Sequence, residues 1–160
     1  MHQLFRNPLV PLSFFLAILL GTFLYSLTLL PALDYPITTN SDTSILNFNG
    51  EEIRVTLAVS PSARTKGLSG RLGLAEGTGM LFIFERAGNH GIWMKEMNFP
   101  IDILWLDEEL RVVHIKERAE PSSYPETFRP SLPARYVLEV PAGFVKEKTV
   151  ILGSQFSVVH

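Results

Sequence analysis

The chain has no cysteine. Disulfides, thiolate nucleophiles and cysteine-ligated metals are therefore excluded. It also lacks any run of Lys and Arg, and its formal net charge is −2. That balance argues against nucleic acid as a partner, because phosphate recognition needs a basic face. No Gly-x-Ser-x-Gly elbow is present, so a hydrolase built from Ser60, Ser62 or Ser69 with His90 or His114 has no support. The glycine-rich stretch GLSGRLGLAEGTG (67–79) has neither the Gly-Lys-Ser/Thr ending of a phosphate loop nor the dinucleotide spacing. It reads as turn chemistry. Internal repeats and low-complexity tracts are missing as well.

Charge is absent from one long segment. From Leu9 to Leu30 the chain reads LVPLSFFLAILLGTFLYSLTLL. As a helix, these roughly 22 residues reach about 33 Å, enough to cross a hydrocarbon core of about 30 Å. Pro11 falls in the first turn, where proline is tolerated. Arg6 and the α-amino group precede the segment, and the next Lys or Arg is Arg54. The positive-inside bias puts the N-terminus in the cytoplasm and the remainder outside it. A cleaved signal peptide needs a small-x-small site. Leu30-Pro31-Ala32 fails at its first position, and Ser26-Leu27-Thr28 matches weakly. The expected organisation is a cytoplasmic stub (1–8), a single uncleaved transmembrane helix (9–30), a polar Pro-bearing linker (31–43) and an extracytoplasmic domain (44–160), periplasmic or at the cell surface.

Apolar residues make up 46% of the chain, enough for a sizeable core. Ile45–Phe48, then Asn49-Gly50, then Glu51–Val59 reads as two strands and a tight turn, since both turn positions of an Asn-Gly hairpin need positive φ. Ser60-Pro61 reads as an N-cap with proline at the first position of a short helix over 61–68. MLFIF (80–84) is a buried strand, 92–94 a short strand, and IDILWL (101–106) a core strand apolar on both faces except at Asp102. Strands follow over 110–116 and 135–140, with a proline-bearing loop over 119–134 between them. Loops of that length are often functional. A helical turn over 142–148 and one or two closing strands end the chain. The fold expected is mainly β: a compact antiparallel sandwich or barrel-like domain with one or two short helices.

Three blocks carry a resemblance: RTKGLSGR with GMLFIF (64–71 and 79–84), WMKEMNFPIDILWLD (93–107) and PARYVLEVPAG (133–143). Together they resemble the prokaryotic family called domain of unknown function 192, over about residues 55–156. Members often carry an N-terminal signal or anchor. The resemblance implies a mainly β, sandwich-like domain and no established activity. The family's central block usually reads Trp-Met-Lys-Asn-Thr, two residues, then Pro-Leu-Asp. Trp93, Met94, Lys95, Pro100 and Asp102 match, whereas Glu96 and Met97 stand where Asn and Thr are usual. A ligand held by that pair would be held differently here.

Candidate chemistry concentrates in the second and third blocks. Asp102 opens an apolar strand and Glu139 lies inside another. Two such acids form an acid–base pair if they face one cleft; otherwise each is bound by Lys95, Arg64, Arg71, Arg135 or backbone amides. Trp93 and Phe99 flank the polar Lys95–Asn98 loop and suit a pocket wall. The candidate ligand-binding residues are Arg64, Trp93, Lys95, Asp102 and Glu139. His90, Met94, Met97, Met80 and His114 invite a soft-metal reading, but core methionine is ordinary gap filling, so no metal and no cofactor are expected. The functional expectation is a membrane-anchored domain that binds a small molecule or an envelope component. Two alternatives stay open: an envelope hydrolase using Asp102 and Glu139, and a structural adaptor in a membrane complex, which would need an exposed apolar patch.

Overall fold

The computed structural model describes residues 42–159. The apolar segment 9–30 and most of the linker lie outside the described residues. Among the described residues no helix is long and apolar enough to cross a membrane.

The chain folds from β1 (Thr43–Phe48) and β2 (Glu51–Ala58) through α1 (Pro61–Lys66) to β3 (Thr78–Gly88). It continues through β4 (Ile92–Trp93), β5 (Ile101–Leu106), β6 (Val112–Ala119), β7 (Thr127–Phe128), β8 (Ala134–Pro141), α2 (Phe144–Glu147) and β9 (Ser157–Val158). Local chemistry sets most of these boundaries. Asn49 and Gly50 both have positive φ, 52° and 90°, as the β1–β2 hairpin requires. Asn47 Oδ1 accepts the Gly50 N–H beneath the turn. Ser60 Oγ accepts the Ala63 N–H and Pro61 starts α1. Gly67, at φ 50°, ends the helix.

Seven strands form one open sheet in the order β6-β5-β8-β3-β2-β1-β9, and β4 pairs with β7 in a separate ribbon. The expectation of an antiparallel sandwich or barrel needs correction on two points. β2 and β3 run parallel, because α1 and the loop after it carry the chain back across the sheet. Parallel neighbours require such a crossover. The barrel is also not continuous. The C-terminal segment instead ties the two ends of the sheet together: Val158 pairs with Leu46 of β1, and Gln155 bridges Arg111 just before β6.

β5 and β8 are neighbouring interior strands, and all six residues of β5 are buried. Alternation then divides their side chains between two faces. Ile103 and Trp105 join Met80, Phe82 and Val137 in a core covered by α1, Leu68, Ile92 and Met94. Asp102 falls on the opposite face, toward α2. Its Oδ1 accepts the Arg118 N–H at 2.8 Å, and its Oδ2 accepts those of Gly143 at 3.0 Å and Val145 at 2.9 Å. This corrects the basic-partner reading of Asp102: none of Lys95, Arg64 and Arg71 pairs with it. A carboxylate facing three amide donors, two of them at the start of a short helix and one on β6, needs no cation. Asp102 therefore fastens α2 to β5.

Asp102→Ala should cost on the order of 3 kcal/mol, since one buried and two part-buried N–H groups lose their acceptor. Asp102→Asn should cost about 1–3 kcal/mol, because either orientation of the amide turns its NH2 group toward at least one N–H donor. Glu108→Ala, at an exposed position, should change little. Asp107 is no neutral control, since its Oδ1 accepts the Glu109 and Arg111 N–H groups across the β5–β6 turn. Chemical denaturation of the variants checks the order. Equal small effects at 102 and 108 would overturn the fastening role.

Candidate functional site

A cavity of about 380 Å³ lies on the face of the sheet opposite Asp102. Phe82 and Glu139 reach it from β3 and β8, and α1 with the following loop (Arg64 to Ser69) lines one side. The β4–β7 ribbon and the residues flanking it supply Gly91, Ile92, Trp93, Thr127 and Arg129. Two links hold the covering loop down. Ser69 Oγ donates to the Lys95 carbonyl at 2.8 Å, and the Gly70 N–H donates to the Glu96 carbonyl at 2.9 Å.

Arg64 leans back from α1 toward the sheet. Its Nη1 donates to the carbonyls of Val59 and Ile83, and its guanidinium lies 5.2 Å from the centre of the Phe84 ring. His90 stacks on the same ring at 3.6 Å between centroids. Trp93 is half exposed, at 48%, and forms an aromatic wall. Among the described residues, no group of three or more His, Asp and Glu side chains converges to hold a metal ion. Met80 and Met94 are buried core residues.

Glu139 is the residue that chemistry singles out. It is 4% exposed, and its Oε2 has no hydrogen-bond partner among the described residues. Register explains its position. Glu139 is opposite Met80 on β3 and Ile103 on β5, so the pleat delivers a carboxyl into an apolar layer. Burial pushes its pKa from 4.5 up to about 8, against a smaller lowering by the Arg71 guanidinium. At neutral pH the group is largely the neutral acid, able to donate one hydrogen bond and accept others.

Of the five expected site residues, the structure brings together Arg64, Trp93 and Glu139. Lys95 stands outside the cavity lining, half exposed and 3.8 Å from Glu96. Asp102 is on the other face of the sheet. A hydrolytic pair of Asp102 and Glu139 is thereby ruled out: Asp102 is opposite Val140 and Ile103 is opposite Glu139, so the two carboxyls project through opposite sides of one sheet. Lys66, Ser69, Phe84, Met97 and Arg129 were not expected as lining residues. The sequence offered one pointer to Arg129, its place in the proline-bearing loop. The departures at 96 and 97 also resolve. Glu96 has φ 56°, a region where Asn is several-fold enriched, so the usual Asn suits the turn. Met97 lines the cavity and adds apolar surface where Thr is usual.

Two outcomes follow from this geometry. Glu139 has a folded-state pKa above its unfolded value, so its stability contribution is complete below about 4.5 and is lost as pH rises through about 8. Within that window each pH unit costs about 1.4 kcal/mol. Glu139→Gln removes the dependence, so the variant should gain on the wild type as melts move from acid to pH 8. A constant gap between them would overturn the buried-acid assignment. Glu96→Asn should stabilise by about 0.5–1 kcal/mol, since it relieves a left-handed residue and gives up only an exposed ion pair. A lower melting temperature would contradict this.

No curated protein matches the chain. Among solved structures it is similar to a Sinorhizobium meliloti 1021 protein provisionally described as a transcription regulator. The two share 31% identity at a TM-score of 0.70, over 76% of this chain and 98% of the other. A protein of unknown function from Novosphingobium aromaticivorans DSM 12444 shares the fold, with TM-score 0.65 and 24% identity over 72% of this chain and 82% of its own. The family model of domain of unknown function 192, described as Uncharacterized ACR, matches residues 44–158; the chain belongs to that family.

Proposed function

We propose that the domain is a small-molecule-binding module held at the outer face of a membrane by the segment 9–30. One observation carries the binding reading: the buried Glu139 beside the cavity, with an oxygen unmatched. Leaving a buried polar group without a partner costs about 1–3 kcal/mol, and such groups mark sites where stability has yielded to function. Its surroundings suit a ligand. Trp93 provides flat apolar surface, Arg64 and Thr127 polar contacts, and the volume lies at the small end of the range for ligand pockets. The membrane placement rests on the uncharged run 9–30 and on Arg6 before it. The description of the Sinorhizobium meliloti protein invites a nucleic-acid reading. A net charge of −2 and the lack of any basic run weigh against it.

Two measurements test these readings. A reporter fused after His160 should be active only in a form that works outside the cytoplasm, with the full-length chain retained in membranes; cytoplasmic activity overturns the topology. Melting the full-length protein with a panel of small anions, cations, sugars and alcohols tests binding. A ligand at about 100 times its Kd adds about 2.7 kcal/mol of stability. At least one class should raise the melting temperature of the wild type but not of Trp93→Ala. If no class does, the cavity is not a binding site.

A further inference from the structure

The charges around the cavity are unequal. Arg64 and Lys66 of α1 and Arg129 after β7 line it, and among the described residues Glu139 is the only acid that does. Among the described residues none of these three cations has a carboxylate within 4.0 Å; the ion pairs lie elsewhere, at Lys95, Arg118 and Lys148. Arg64 and Arg129 do bind backbone carbonyls, Val59 and Ile83 for the one and Asn89 for the other. Those acceptors are neutral and leave the charges uncancelled. Arg71, on the loop after α1, adds a fourth positive charge felt by Glu139. A concave site lined by one sign of charge concentrates counter-ions of the other.

Resting on the binding-module reading, we propose that the ligand is a small organic oxyanion, a carboxylate or a phosphate monoester. Its head meets Lys66 and Arg129, and its flat apolar body lies against Trp93. Arg guanidinium groups suit this head, since their fork matches two oxyanion oxygens at once. Glu139 does not oppose an anion, because burial keeps it in the acid form at neutral pH. A cationic ligand would meet three uncancelled cations and no charged acid. A neutral ligand would leave those cations as they are.

The test uses four probes that share one ring and differ in the head: benzoate, phenyl phosphate, benzyl alcohol and benzylamine. Each is titrated into the full-length protein near pH 7 and read by calorimetry and by melting. One or both anions should bind and raise the melting temperature, and the stronger arm separates carboxylate from phosphate. Benzyl alcohol should bind more weakly than either, and benzylamine should give no shift. The double variant Lys66→Gln/Arg129→Gln should weaken anion binding about tenfold or more, equivalent to about 1.4 kcal/mol. Both side chains are exposed, so the unliganded melt should stay near that of the wild type. Added salt should weaken anion binding in the wild type.

Benzyl alcohol or benzylamine matching the anions, or full anion affinity in the double variant, overturns the oxyanion assignment. In that case the cavity remains a binding site if Trp93→Ala abolishes whatever shift is seen. If all four probes fail while another class in the wider panel succeeds, only the ligand class is wrong. If every compound fails, both readings fall.

Discussion

The pleat of two adjacent strands decides what this domain can do. β5 and β8 are neighbouring interior strands of the sheet, buried along nearly their whole length. Each carries one acid, and the register offsets those acids by a single residue. Because side chains alternate across a sheet, that offset sends Asp102 to one face and Glu139 to the other. Two carboxyls that look alike in the sequence acquire opposite fates. Asp102 meets three N–H donors and becomes an anchor for α2. Glu139 meets Met80, Ile103 and a cavity, and holds its proton.

The cavity exists because of how the chain crosses the sheet. The parallel pairing of β2 and β3 obliges the chain to pass over one face. That passage lays α1 and its glycine-rich sequel above Phe82 and Glu139. The β4–β7 ribbon closes the other side. Its approach is tight: a Cβ at Gly91 would come within 2.6 Å of the Thr127 methyl, so glycine lets the two short strands meet. The site is thus assembled from five separate stretches of chain, which bring different properties. The helix brings cations, the sheet a buried acid, β4 an aromatic face and the loop before β8 a further guanidinium.

Much of the scaffold was legible in the sequence because its determinants are local. The Asn49-Gly50 turn, the Ser60-Pro61 cap, the alternation of Ile53 and Val55, and the uniformly apolar Ile101–Leu106 each report a backbone preference within a few residues. Strand partners are not local, and there the reading went astray. Nothing within Glu51–Ala58 or Thr78–Gly88 states that the two run parallel. Thr127-Phe128, within a proline-bearing loop, gave no strand signal, yet it pairs with Ile92-Trp93. Arg129 entered the site unnoticed for the same reason. The exposed Lys95 was drawn in by its neighbours in sequence, although it stands outside the cavity lining.

What the sequence by itself determined is the class of fold, the family, the positions of most strands and the presence of buried acids among apolar neighbours. These follow from propensity, periodicity and turn chemistry, which act over a few residues. Only the tertiary structure decided which face each acid occupies, and which of them a cavity meets. That decision depends on register, and register is an agreement between distant segments. A one-residue difference in strand position reverses the face of every side chain. No local pattern distinguishes the Asp of IDILWL from the Glu of YVLEV; the packed sheet alone gives one a set of amide donors and leaves the other an open partner.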